Sequence, residues 1–361
     1  MVIPLQTAAS VAGVNPSTQV ERIDPFAGDR WDSLVTPRAD HSIFHRSAWA
    51  RVLAETYGHR PFYLSIVAAG AGEALVPLME VNSPVTGRRG VSLPFADFAG
   101  PLWSAPHQAS EAYEAMLELA KERKWKRLEI RGDASPPPGV RSFRSYHAHE
   151  LDLSQGIEAI EKKLHSSARR SIQKSERSGL ELAVRRDPAA VREFYHLHSH
   201  TRRRHGLPPQ PFGFFEAIGR HVIEPGLGDI VLAHRGGTPV AGAVFFHSGG
   251  RAIYKFGASD TAFWELRPNH LVMWAAIRHL AANGCRSLHF GRTSAGDDGL
   301  NRFKQSWSAA CSSLDYFRHD PVRSAWVTET TPPSESHPLI FGRLPISINR
   351  VAGRLIYPHL D

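Results

Sequence analysis

Cysteine is almost missing: Cys285 and Cys311 are the only two among 361 residues. Two cysteines cannot build a disulfide framework, and they fit a reducing cytoplasm. Long apolar runs are missing too. No stretch of ~20 apolar residues occurs, so no transmembrane helix is expected. The opening MVIPLQTAASVAGVNPST has neither a basic start nor a sustained apolar core and does not read as a signal peptide. Metal signatures are scarce. His196 and His200 would share a helix face, but no HExxH and no suitably spaced third ligand accompanies them, so no metal is expected.

What is there is a globular composition with an excess of base. Hydrophobic residues make up 42% and charged residues 22%, which excludes a disordered chain. Lys and Arg outnumber Asp and Glu by 43 to 35, a net charge of +8. That favours an anionic partner such as tRNA, a nucleotide, a phosphorylated lipid carrier or an anionic membrane. The plain alternative is a basic enzyme with no polyanion partner. DNA is not expected.

The length allows two domains. Residues 1–20 read as a flexible N-terminus. Pro25 to Tyr57 is helical in pattern, and Pro61–Ala69 with Glu73–Val81 reads as a hairpin. Val91–Pro101 is extended, Glu111–Lys124 is an amphipathic helix, and Leu128–Arg131 is a strand before the break Ala134–Gly139. A similar order then begins again. Gly156–Ser178 reads as one long basic helix, Leu180–Val184 as a strand, and Ala189–Arg204 and Phe212–Val222 as helices. Asp229–His234 and Pro239–His247 follow as strands. These orders predict an α/β chain of two modules of one type: 21–150 and 151–327, with a tail at 328–361.

The stretch Ile253–Trp307 organises the second module. A strand closes on Gly257-Ala258-Ser259, a buried helix runs from about Arg267 to Asn283, and Ser287–Phe290 is a second strand. Pro268 suits the first helical turn and Asn283-Gly284 the stop. Strand, crossover helix and parallel strand make a βαβ unit, and ligands sit beyond the carboxyl ends of such strands. There the sequence concentrates Gly291, Arg292, Thr293, Ser294, Gly296, Asp297 and Asp298.

Five motifs occur in order: Phe194-Tyr195, Thr201-x-x-Arg204, Tyr254-x-x-Gly257-Ala258-Ser259, Phe290-Gly291 and Phe303-Lys304-x-x-Trp307. In this order they resemble the Fem-type aminoacyltransferases (FemABX), which carry two acetyltransferase-like (GNAT-superfamily) folds in tandem. The tail PLIFGRLP…IYPHL is similar to a FemAB-related subgroup found with bacterial exopolysaccharide systems. The resemblance implies tandem modules with mixed sheets flanked by helices. It implies attack of an amine on an activated ester or thioester, in the cytoplasm or peripherally at the inner face of the membrane. The implied donor is a charged tRNA or an acyl-CoA, with no tightly bound cofactor. The implied acceptor is an amine of a cell-envelope glycan or a lipid-linked, peptidoglycan-type precursor.

Such a reaction needs a sink for the amine proton, a positive group near the developing oxyanion, and grips on donor and acceptor. Lys304 matches the family lysine, which implies a cation near the reacting carbonyl or donor phosphate. Asp97, Asp297 and Asp298 are the candidate proton acceptors. Arg204 and Arg292 suit phosphate or carboxylate. Tyr195, Tyr254 and Asn269 complete the candidate binding set; Asn269 begins the buried helix, where backbone N–H groups can hold an anion. The basic helix with Lys162, Lys163, Arg169, Arg170, Lys174 and Arg177 is a solvated face or a contact for tRNA or membrane. Glu265 to His270 lacks the glycines of an ordinary CoA pyrophosphate turn, against an acyl-CoA-dependent N-acetyltransferase. A third reading is a non-catalytic adaptor for an anionic carrier or RNA.

Overall fold

The structure is a computed structural model describing residues 18–68, 72–103, 108–132, 136, 139–328 and 340–361. The expected flexible segment 1–17, parts of the expected turn at 70–72 and break at 134–139, and tail residues 329–339 lie outside these. Residues 18–20 correct the expectation at the N-terminus. They open a strand, β1 (Thr18–Ile23), whose antiparallel ladder with Tyr63–Ala68 fixes them in place.

The first half continues with α1 (Arg30–Val35) and α2 (Ser47–Tyr57). α2 stops at Gly58, which takes the left-handed conformation its lack of Cβ allows. The strands β2 (Arg60–Pro61), β3 (Tyr63–Ala68), β4 (Gly72–Val76), β5 (Met79–Ser83) and β6 (Gly87–Val91) follow. The single strand expected over 73–81 is two, β4 and β5, in different sheets. Pro77 stands between them and has no N–H to carry a ladder through. α3 (Gln108–Glu122) then crosses to β7 (Leu128–Arg131), parallel to β6. α3 buries Ala112, Met116 and Leu119 at helical spacing.

β8 (Arg144–Asp152) closes the first half, and the second half opens with α4 (Ile157–Lys163), α5 (Ser166–Glu176), β9 (Glu181–Arg185), α6 (Pro188–Arg204) and α7 (Phe212–Ile218). The expected long basic helix is broken. Leu164 leaves helical geometry to bury its side chain, and the His165 ring caps the next helix at Ser167 N. Then come β10 (Gly228–Arg235), β11 (Thr238–Ser248), β12 (Arg251–Ser259), α8 (Pro268–Ala282), β13 (Ser287–Thr293), α9 (Asp298–Gln305), β14 (Ala310–Asp320), β15 (Ala325–Trp326), α10 (Ile340–Arg343) and α11 (Ile346–Ile356). The expected βαβ unit is present: β12 and β13 are parallel, with Pro268 opening α8 between them.

Both halves share one sheet. Its order is β2-β5-β6-β7-β14-β8-β13-β12-β11-β10-β9. Each half contributes one parallel pair, β6 with β7 and β12 with β13. The strand after each pair crosses over. β8, which follows β7, pairs with β13; β14, which follows β13, pairs with β7; and β8 and β14 pair with each other. Each half is thus completed by a strand from the other. Neither β8 nor β14 was expected, and 150/151 falls inside β8.

Candidate functional site

β12 and β13 pair only from Arg251–Ile253 to Ser287–His289. Beyond that they part. Irregularities on both flanks drive the separation, one in β11–β12 at Val244/Phe245 and one in β13–β8 between His289 and Arg292. The parting leaves backbone groups without ladder partners, and these must be satisfied otherwise.

Lys304 binds two β13 carbonyls at this point. From α9 its Nζ donates to Gly291 O at 2.8 Å and to Arg292 O at 3.3 Å. The side chain is 2% exposed. Burial lowers its pKa to about 8, with Asp97 and Asp297 pulling the other way. An ammonium has three donors, so one N–H has no hydrogen-bond partner among the described residues. Phe303 and Trp307 hold α9 from either side of Lys304, both packing on the His270 ring of α8.

Asp97 approaches the same point from the first half. The chain after β6 bends sharply, with Leu93 and Phe95 at φ +58°, and delivers the carboxylate to β13. Its Oδ2 accepts from Lys255 Nζ at 2.6 Å and its Oδ1 from Arg292 N at 3.2 Å. Burial alone would raise its pKa, but Lys255 and Arg292 override this and hold it well below the usual carboxylate range. Asp97 is an ionised pair member and a poor proton acceptor. Arg292 donates to Tyr316 Oη at 2.8 Å and lies over the Tyr146 ring at 4.8 Å. Its guanidinium ties β13 to the exchanged strands.

Lys255 escaped the sequence reading because its partner lies 158 positions away. His149 escaped it too. On β8 it is fully buried, neither ring nitrogen has a hydrogen-bond partner, and burial followed by Lys304 lowers its pKa. Thr293 Oγ1 is likewise buried without a partner.

A second cluster gathers on Ser259 at the end of β12. Arg204 Nη1 donates to Ser259 O at 3.1 Å, and Ser259 N donates to Thr201 Oγ1 at 3.2 Å. Asn269 Nδ2 and Trp264 Nε1 both donate to Ser259 Oγ, at 3.1 and 2.9 Å. Arg204 also lies over the Trp264 ring at 4.9 Å. An open cleft of about 400 Å³ adjoins it, lined by His196, His200, Arg203, Arg204 and Asp260 among others. A basic wall of this kind suits phosphate or carboxylate.

The remaining candidates fall elsewhere. Tyr254 folds back along its own strand. Its hydroxyl lies so close to Gly257 that a Cβ there would stand 1.7 Å away, which accounts for the glycine three positions on. Burial raises its pKa to about 12. Asp297 caps α9 by accepting from Leu300 N at 3.0 Å, and Asp298 is exposed in the first turn. Tyr195 Oη donates to Gln210 O at 3.2 Å among Phe212 and Phe215, apart from Lys304. The His196 and His200 rings lie 4.7 Å apart, and no three metal-ligating side chains gather among the described residues. At the start of α8, Arg267 is left-handed and Pro268 has no N–H to offer.

Residues 162–305 match the acetyltransferase (GNAT) domain family. The lipid II:glycine glycyltransferase of Staphylococcus haemolyticus (strain JCSC1435) is 26% identical over 104 residues, 26% of this chain and 25% of that protein. The chain thus spans about a quarter of the length of this curated relative. The crystal structure of FemX superposes with a TM-score of 0.66 at 14% identity, covering 82% of this chain and 96% of that one. A tandem GNAT protein from the clavulanic acid biosynthesis pathway gives 0.53 at 10% identity, covering 84% and 98%. These likenesses show the fold: two GNAT-like modules in tandem.

Proposed function

We propose that this chain, a FemABX-like member of the GNAT superfamily, moves an aminoacyl group from charged tRNA to an amine of a lipid-linked cell-envelope precursor. The observation that carries the reading is Lys304: a buried ammonium fixed by two carbonyls of β13, with one N–H left over, where two parallel strands part. A carbonyl entering between the strands meets a preorganised cation in a dry setting. The amine nitrogen forms the new C–N bond, the ester C–O bond breaks, and the amine proton passes to the departing ribose hydroxyl. Asp97 and Asp297 are engaged elsewhere and hold the site in shape. Arg204 and the cleft beside it grip an anionic group of donor or acceptor. The likeness to a glycyltransferase named for lipid II supports a lipid-linked acceptor. The tail's similarity to exopolysaccharide-associated proteins supports an envelope glycan, and the work is done at the inner face of the membrane.

The acyl-CoA alternative is disfavoured by α8. A pyrophosphate needs free N–H groups at that helix start, and Pro268 with a left-handed Arg267 does not provide a glycine-lined turn. The test is binding of charged tRNA, uncharged tRNA and acetyl-CoA side by side at moderate salt. Preference for charged over uncharged tRNA is expected. Saturable acetyl-CoA binding without that preference would move the reading to acyl-CoA, and binding of neither would sink both.

A further inference from the structure

A helix on a protein surface normally turns its polar face outward. α11 does the reverse. Asn349 and Gly353 are buried in it, and Asn349 Nδ2 donates to Phe341 O at 2.7 Å. A Cβ on Gly353 would stand 1.9 Å from Pro209 O, so the helix backbone lies directly on the loop after α6. Arg350 lies over the Tyr195 ring at 5.1 Å, and Tyr357 Oη, just past the helix, donates to Pro208 O at 3.2 Å. The opposite face carries Ile348, Val351 and Leu355, which are 50%, 59% and 66% exposed. Their spacing of three and four places them in one line. Leu360 beyond the helix is 41% exposed.

The charge beside this line is of one sign. Arg354 is exposed on α11 and Arg343 on α10, and the one acidic residue of the described tail, Asp361, is taken up by Arg89, Arg127 and Arg131. α10 and α11 both pack on α6, and Gly342 of α10 lines the cleft beside Arg204. No described helix is long and apolar enough to cross a membrane.

We propose that α11 is a docking element for an anionic lipid surface: Ile348, Val351 and Leu355 enter the headgroup boundary while Arg343 and Arg354 meet lipid phosphates. Apolar insertion and electrostatic attraction together are what hold interfacial helices on anionic bilayers. Docking so places the Arg204 cleft near the bilayer. The choice of lipid over protein rests partly on the lipid-linked acceptor proposed above; the test does not.

The test is co-sedimentation of the full chain with vesicles of phosphatidylcholine alone or mixed with phosphatidylglycerol, with no acyl donor or acceptor present. Binding to the anionic vesicles that weakens with salt is expected. The combined variant Ile348→Ser, Val351→Ser, Leu355→Ser should lose it by at least about tenfold. Arg354→Glu, which leaves the apolar line intact, should weaken it by a few-fold and serves if the triple variant fails to melt cooperatively. Absence of wild-type binding, or binding that survives both variants, overturns the proposal. So does self-association that the triple variant abolishes, because a second copy of the chain then covers the face. Vesicle binding without preference for charged tRNA would instead leave the docking element standing and count against the transfer reading.

Discussion

The two parallel strand pairs of this sheet are built alike and used differently. β6 with β7 is crossed by α3, and β12 with β13 by α8. In the second pair the strands part around Lys304, which keeps a free donor. In the first pair the cations are spent. Arg89 Nε meets the Asp361 carboxylate at 2.5 Å, Arg127 Nη2 meets it at 3.0 Å, and Arg131 holds both Glu129 and Asp361. Asp361 takes up all three arginines. A duplicated fold therefore need not duplicate its electrostatics: one copy holds an ammonium against backbone carbonyls and the other neutralises its cations with carboxylates of the chain.

The sharpest way to break the comparison is to cut the chain at the expected boundary. Because β8 and β14 are exchanged, residues 151–361 expressed alone lack most of β8 and should show no cooperative thermal transition. Cooperative melting of that piece would mean the halves are independent after all. Next in size, Lys304→Met should cut aminoacyl transfer by about 10²–10³-fold, the usual loss for a preorganised oxyanion donor. The wild-type rate should fall as pH rises past about 8, where the cation is lost. A transfer rate indifferent to this variant would remove Lys304 from the chemistry. Smaller still, Asp361→Ala should cost about 3 kcal/mol of stability by leaving buried arginines uncompensated, read from denaturant midpoints, with little change in transfer per folded molecule. The Asp361 pKa lies below the ordinary carboxylate value, since the three arginines outweigh burial. Its contribution is then fully present above about pH 4 and lost as pH falls further, so the variant should have a flatter acid limb than the wild type.

Four of the five motifs legible in the sequence meet pairwise in space. Thr201 and Arg204 both bond Ser259, so the Thr-x-x-Arg helix end and the Tyr-x-x-Gly-Ala-Ser strand end are two sides of one contact. Phe303-Lys304-x-x-Trp307 and Phe290-Gly291 are another, joined at the Gly291 carbonyl. These were readable because each motif is local and anchors a neighbour within one module. β8 and β14 were not readable. Arg144–Asp152 and Ala310–Asp320 are studded with His, Ser, Arg and Asp, and their strand character comes from partners more than a hundred residues away. Asp97 was singled out as a carboxylate, but its distant partners Lys255 and Arg292 decide that it stays ionised and paired. The basic helix failed as one piece because Leu164 gains more by burial than by continuing the helix.

The exchange of β8 and β14 also sets a clock on synthesis. β7 leaves the ribosome about 190 residues before the end of its neighbour β14, an interval of roughly 10–40 s at ordinary elongation rates. Throughout it the nascent first half carries an unpaired sheet edge, the kind of surface that recruits stray strands. A chain of this topology depends on whatever shields that edge while the ribosome is still at work.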